Sequence, residues 1–134
     1  MRNFLIAAAL TLLTACTNYA TNERAPVGAK DFDYFNACYA EYFNVEPLTS
    51  TPIINYMGAS DLKREYNSWW GAAVTQPWGN LSYIFLATGM SRAEHDHVFG
   101  HEVVHIFQAF RLGMSMEDYD EAEEHAQQHD RACL

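Results

Sequence analysis

SRAEHDHVFGHEVVHIFQAFRLG, residues 91–113, is the stretch on which the reading of the fold turns. Its opening Ser91-Arg92-Ala93-Glu94 has the Ser-x-x-Glu form in which each end residue satisfies a backbone donor left unpaired in a helix's first turn. Val98, Phe99, Val103, Val104, Ile106, Phe107 and Phe110 follow at helical spacing, and Gly113 suits the left-handed residue that closes a helix. The spacing predicts one long helix. Ser115-Met116-Glu117-Asp118 opens a second, running to about Arg131, with acids in its first turn where the positive end of the helix dipole favours them.

Upstream, Phe32, Phe35, Cys38, Tyr39, Tyr42 and Phe43 recur at intervals of three and four across residues 31–44, which predicts an N-terminal helix opened by Lys30 or Asp31. Residues 52–57 read as a short strand and residues 60–70 as a brief helix or turn. Residues 72–74 and 81–86 are apolar and β-prone and flank Gln76-Pro77-Trp78-Gly79-Asn80, so they are expected to pair as a hairpin. This order predicts an α+β domain: an N-terminal helix, a short antiparallel sheet, the long helix and a C-terminal helix. Trp69, Trp70 and Trp78 are read as anchors of a small core in preference to a sugar-stacking platform. At 134 residues, 49% hydrophobic and 19% charged, the chain suits one domain, and no internal repeat is visible. A net charge of −9 argues against a nucleic-acid partner.

The first fifteen residues have the plan of a signal peptide: Arg2, an apolar run from Phe4 to Leu10, then Leu12, Leu13 and small residues. Leu13-Thr14-Ala15-Cys16 resembles the bacterial lipobox. That resemblance implies a lipid on Cys16 as the first mature residue; with Thr17 and Asn18 in place of an Asp, it implies anchorage in the outer membrane facing the periplasm. Residues 16–30 then form the anchor and tether and residues 31–134 the domain, with the membrane met through the lipid alone. Loss of Arg2 brings the charge to −10. In an oxidising compartment Cys38 and Cys133 can be joined, the alternative being two separate buried thiols. A bridge closing so long a loop contributes about 4 kcal/mol in the chain-entropy model.

Within the long helix, His101 and His105 lie one turn apart on one face, so both rings can reach a single ion about 2.0–2.1 Å from each nitrogen. Glu102 sits beside that face, where a carboxylate can act on a metal-held water without being a ligand. This His-Glu-x-x-His pattern, followed by an acidic helix, resembles the zincin metallopeptidases of the gluzincin branch over roughly residues 72–130. The resemblance implies one Zn2+ per chain, a peptide or protein substrate, Glu102 as the catalytic base and a third ligand from the next helix. The metzincin extension is absent, since Arg111 stands where its third His belongs and Gln108 where a Gly would be.

On the C-terminal helix, Tyr119, Ala122, Ala126, His129 and Cys133 form a stripe read as buried, Glu121 and Glu123 flank it, and Glu124 points nearly opposite. Glu121-Ala122-Glu123 also resembles the Glu-x-Glu segment of several gluzincins, where the first Glu is the ligand. Glu121 is the preferred ligand, with Glu123 and Glu124 as alternatives and His125 a minor candidate. His125, His129 and Tyr119 are candidates for the group that stabilises the transition state. His97 either extends the imidazole stripe or is exposed, His95 is expected to face solvent, and Gln108 is read as structural. The strand at residues 81–86 is expected to offer its edge to an extended substrate. The competing expectation is a non-catalytic lipoprotein on the same scaffold, binding a protein partner or holding metal with a closed ligand set.

Overall fold

The computed structural model describes residues 25–76 and 80–134; the expected signal peptide, Cys16 and Trp78 fall outside them. The first helix, α1 (Phe32–Phe43), begins where Asp31 accepts the backbone N–H of Tyr34 and ends at Asn44, whose left-handed backbone (φ 54°) returns its N–H to the last turn. It buries Phe32, Phe35, Tyr39 and Ala40. The long helix is α3 (Arg92–Phe110), opened by the reciprocal Ser91–Glu94 cap and buried over much of its circumference. Phe35 meets Phe99 edge-on at 5.4 Å, and Gly100 makes room for the crossing: a Cβ there would stand 3.0 Å from the Phe35 ring. Burying each such aromatic contributes about 2–3 kcal/mol.

Three strands complete the core: β1 (Ile53–Met57), β2 (Gly71–Gln76) and β3 (Leu81–Ala87), in the order β1-β3-β2. The β2–β3 hairpin is antiparallel as the turn chemistry predicts, with Ala73 opposite Ile84. β1 runs parallel to β3, so the sheet is mixed and not the purely antiparallel one expected. The cause is connectivity: α2 (Ala59–Tyr66) and then β2 intervene between β1 and β3, and no tight turn joins that pair. Ser82, Ile84 and Leu86 of β3 are buried on the face toward α3, while Phe85 points to the other face, where Tyr66 of α2 stacks on it at 4.4 Å.

The C-terminal helix, α4, spans Tyr119–His129 with Asp118 as its N-cap, so Ser115–Glu117 belong to the preceding turn. Ala122 and Ala126 are buried, and their small side chains let α4 lie close to α3. A disulfide joins Cys38 of α1 to Cys133, with Cα atoms 6.0 Å apart. Residues 25–30, assigned to a flexible tether, are fastened to the domain at Lys30. Its backbone N–H donates to Asp96 Oδ1 (2.9 Å) and its ammonium to the Cys133 carbonyl (3.3 Å).

The expectation is overturned for Trp69 and Trp70. Trp69 and Trp70 are 51% and 57% exposed, because aromatics of α1 and α3 fill the interior instead. Among the described residues no helix is long and apolar enough to cross a membrane.

Candidate metal centre

On α3 the one-turn spacing brings His101 and His105 together with their Nε2 atoms 3.2 Å apart. Across the helix contact, the Glu123 carboxylate reaches both, Oε1 lying 3.1 Å from His101 Nε2 and Oε2 3.2 Å from His105 Nε2. These three residues can hold a metal ion: one ligand atom from each lies within 4.8 Å of the others. The outer nitrogens are held as well. His101 Nδ1 donates to Asp130 Oδ2 (2.9 Å) and His105 Nδ1 to Gln108 Oε1 (2.8 Å).

With both Nδ1 positions protonated and the rings neutral, the two Nε2 lone pairs and the carboxylate converge on one point. Three acceptors this close repel unless a proton or a metal ion lies between them, and two imidazoles with one carboxylate are a donor set that suits a divalent transition metal. The surrounding acids show the same demand. Burial works to lower the His101 pKa, but the carboxylates of Glu102, Asp130 and Glu123 outweigh it and raise it. Burial dominates at His105 and lowers it. Glu123 is held below its ordinary range, because His101, His105 and a hydrogen bond from Gln127 outweigh its burial.

Glu123, and not Glu121, is therefore the acid that meets the histidine pair. Glu121 is exposed in the first turn of α4, where its own N–H donates to the Asp118 cap at 3.2 Å. Both residues flank the alanine stripe. Which flank faces α3 is fixed by the hand of the helix crossing, which periodicity along one helix does not encode. Glu124 is exposed, as its position opposite the stripe implies.

The group lies on the wall of a cleft of about 520 Å³, with Glu102 beside it. Glu102 is 5% exposed, and burial pushes its carboxyl up to about 7; neighbouring His101 opposes the shift, Glu123 adds to it, and the Ala73 N–H aimed at the carboxylate opposes it. Gly71 makes this proximity possible. A Cβ there would meet Val98 at 2.7 Å and Glu102 Oε1 at 2.8 Å, so the strand approaches the helix only because residue 71 has no side chain.

The opposite wall is the outer edge of β2, not β3. β3 is the central strand, hydrogen-bonded on both sides, which corrects the expectation for residues 81–86. Trp70 accepts from Ala87, so the backbone groups of residues 70, 72, 74 and 76 face β3 while those of Gly71, Ala73 and Thr75 face the cleft.

Of the three candidates for transition-state stabilisation, Tyr119 lines the cleft, 68% exposed, close enough to Glu123 and Glu102 for them to help raise its pKa after burial. His125 and His129 lie on the other side of α4. His125 stacks on Phe43 at 5.9 Å, and His129 Nδ1 is 2.8 Å from the Tyr42 hydroxyl. His97, 36% exposed, shares Asp130 with His101 at 3.2 Å. His95 is buried (1% exposed) instead of solvent-facing, because the first turn of α3 aims it at Tyr56 of β1. Sequence reasoning missed Asp130. Its signal was its place seven residues after Glu123, on the same helix face two turns on. No protein-family model, curated protein or solved structure matches the chain.

Proposed function

We propose that this protein is a zinc-dependent hydrolase of peptide bonds, with His101, His105 and Glu123 as ligands and Glu102 as general base. The observation that carries the reading is the placing of a buried carboxyl, Glu102, beside a three-ligand group on an open cleft wall. Three protein ligands leave a coordination position for water, as catalytic zinc sites require, whereas structural sites are closed by four. Zinc bound there supplies a Lewis acid that polarises the scissile carbonyl and acidifies the water.

The remaining work falls to the chain. The outward carbonyl of Ala73 and the outward backbone of Thr75 offer hydrogen bonds to an extended substrate by strand addition. Glu102 takes the proton of the attacking water and passes it to the leaving amine, and burial suits it to both steps by bringing its pKa near neutrality. Tyr119 donates from the cleft wall to the developing oxyanion. The export reading belongs to the same proposal: lipid on Cys16 holds the domain at the outer membrane, facing the periplasm.

The deciding experiment measures zinc content and turnover of a quenched-fluorescence peptide library by the purified chain. Wild type holds about one zinc and cleaves; Glu102→Gln holds the same zinc and does not. Cleavage that survives Glu102→Gln overturns the assignment. Zinc retention without cleavage by wild type supports the non-catalytic lipoprotein instead.

A further inference from the structure

Gln108 is fully buried between α3 and α4, and both ends of its amide are engaged. Its Nε2 lies 2.8 Å from the Ala122 carbonyl oxygen and 2.9 Å from His125 Nδ1, and its Oε1 lies 2.8 Å from His105 Nδ1. A backbone carbonyl only accepts, so the Ala122 contact fixes which end of the amide is nitrogen. Two consequences follow from that single contact. Oε1 requires a proton on His105 Nδ1, which leaves the Nε2 lone pair directed at His101 and Glu123. The second N–H requires a lone pair on His125 Nδ1, which puts that ring's proton on Nε2.

We propose that Gln108 is a positioning residue of the metal centre: it locks His105 in the metal-binding tautomer and, by clamping Ala122, fixes the rotation of α4 that presents Glu123. The clamp acts on the residue immediately before the ligand. Each residue turns the helix by about 100°, so slippage of this contact carries the Glu123 carboxylate off the pair. The identity of residue 108 matters at each contact. A Glu there would set carboxylate oxygens against the Ala122 carbonyl and the His125 lone pair, and a Met would fill the space while holding neither ring. The inference rests on the metal-binding reading, yet its first half is readable in protein stripped of metal.

The test uses the full chain, isotope-labelled and treated with EDTA, at about pH 8 where free imidazoles are neutral. Two-bond proton–nitrogen correlation spectra report which nitrogen of each ring is protonated. Wild type should show His105 protonated on Nδ1 and His125 on Nε2. Gln108→Met should release both rings into mixtures and weaken zinc binding, read by chelator competition, about 10- to 100-fold. Gln108→Glu keeps an acceptor for His105 but no donor for His125, so His105 should stay as in wild type while His125 changes.

The proposal is overturned if His105 keeps its tautomer in Gln108→Met, or if zinc affinity is unchanged once that tautomer is released. Should Gln108→Met fail to fold, Gln108→Glu decides, and an unchanged His125 there refutes the lock. Wild type that shows the stated tautomers but binds no zinc sinks the metal reading while leaving the amide's hold on the two rings standing.

Discussion

The helix α3 carries two histidine networks built from similar parts and finished differently. At its start, His95 is buried with both nitrogens occupied: Tyr56 hydroxyl at 2.8 Å from Nε2 and Asp96 Oδ1 at 3.3 Å from Nδ1. Its ring also stacks on Tyr56 and meets Phe99 edge-on. Two turns later, the Nδ1 atoms of His101 and His105 each have a separate partner, while their Nε2 atoms converge on each other and share the one Glu123 carboxylate. The first network is complete within the protein, since each ring nitrogen has a complementary group. The second gathers two imidazole nitrogens and a carboxylate into a group that can hold a metal ion. A histidine's role thus follows from what its second nitrogen faces; burial alone does not decide it.

The sharpest way to break this contrast is to delete rings one at a time. His101→Ala or His105→Ala should weaken zinc binding on the order of a thousandfold, while His95→Ala should leave zinc affinity intact and lower unfolding stability by about 2–4 kcal/mol. Folded His95→Ala protein that cannot hold zinc would erase the distinction. Next in size is the carboxylate. Glu123→Ala should reduce zinc affinity about a hundredfold and Glu121→Ala by no more than about twofold, in parallel chelator titrations. The reverse order would return the ligand to the other flank of the helix.

The metal-free centre should also be marked by how its stability depends on pH. Unfolded, Glu102 ionises near 4.5; folded, near 7. Between those values the folded state binds more protons, so stability falls as pH rises through the window, by about 2–3 kcal/mol. His101, raised in the fold, acts in the same direction above 6.5, and His105, lowered by burial, opposes it. Melting temperatures of EDTA-treated protein from about pH 5 to pH 8 should therefore decline, and Glu102→Gln should flatten the decline. A rising profile, or one indifferent to Glu102→Gln, contradicts the assignment of Glu102 as the buried acid. The smallest effect belongs to the completed network: Tyr56→Phe should cost about 1 kcal/mol and leave zinc affinity unchanged.

The parts of this fold legible in the sequence are those written locally. The Ser91–Glu94 cap, the hairpin pairing of the two β-prone segments at residues 72–74 and 81–86 and the one-turn spacing of His101 and His105 each depend on neighbours within a few residues, and each appears as read. The Cys38–Cys133 pairing was legible for another reason, since only those two cysteines remain once Cys16 is set aside. The choice of Glu123 over Glu121 depends on how two helices cross, and β2 became the open edge because β1 inserted on the far side of β3. Both are facts about relative placement, which a helical or strand period in one segment does not contain. The exposed tryptophans show the same limit: size predicts burial only until other aromatics have filled the space.

Gly71 sets the tolerance of the whole arrangement. The neighbours a methyl group would strike there are Val98 and the carboxyl oxygen of Glu102, and no ligand atom is among them. An alanine at this position must push either the strand or the carboxylate aside by several tenths of an ångström, while the His101, His105 and Glu123 side chains stay in place. On the proposed function the expected lesion is selective: metal occupancy survives while Glu102 is displaced. On that same reading, a single-nucleotide change from glycine to alanine at this codon would give a chain that folds, loads and fails, the mutational signature of a part whose only contribution is clearance.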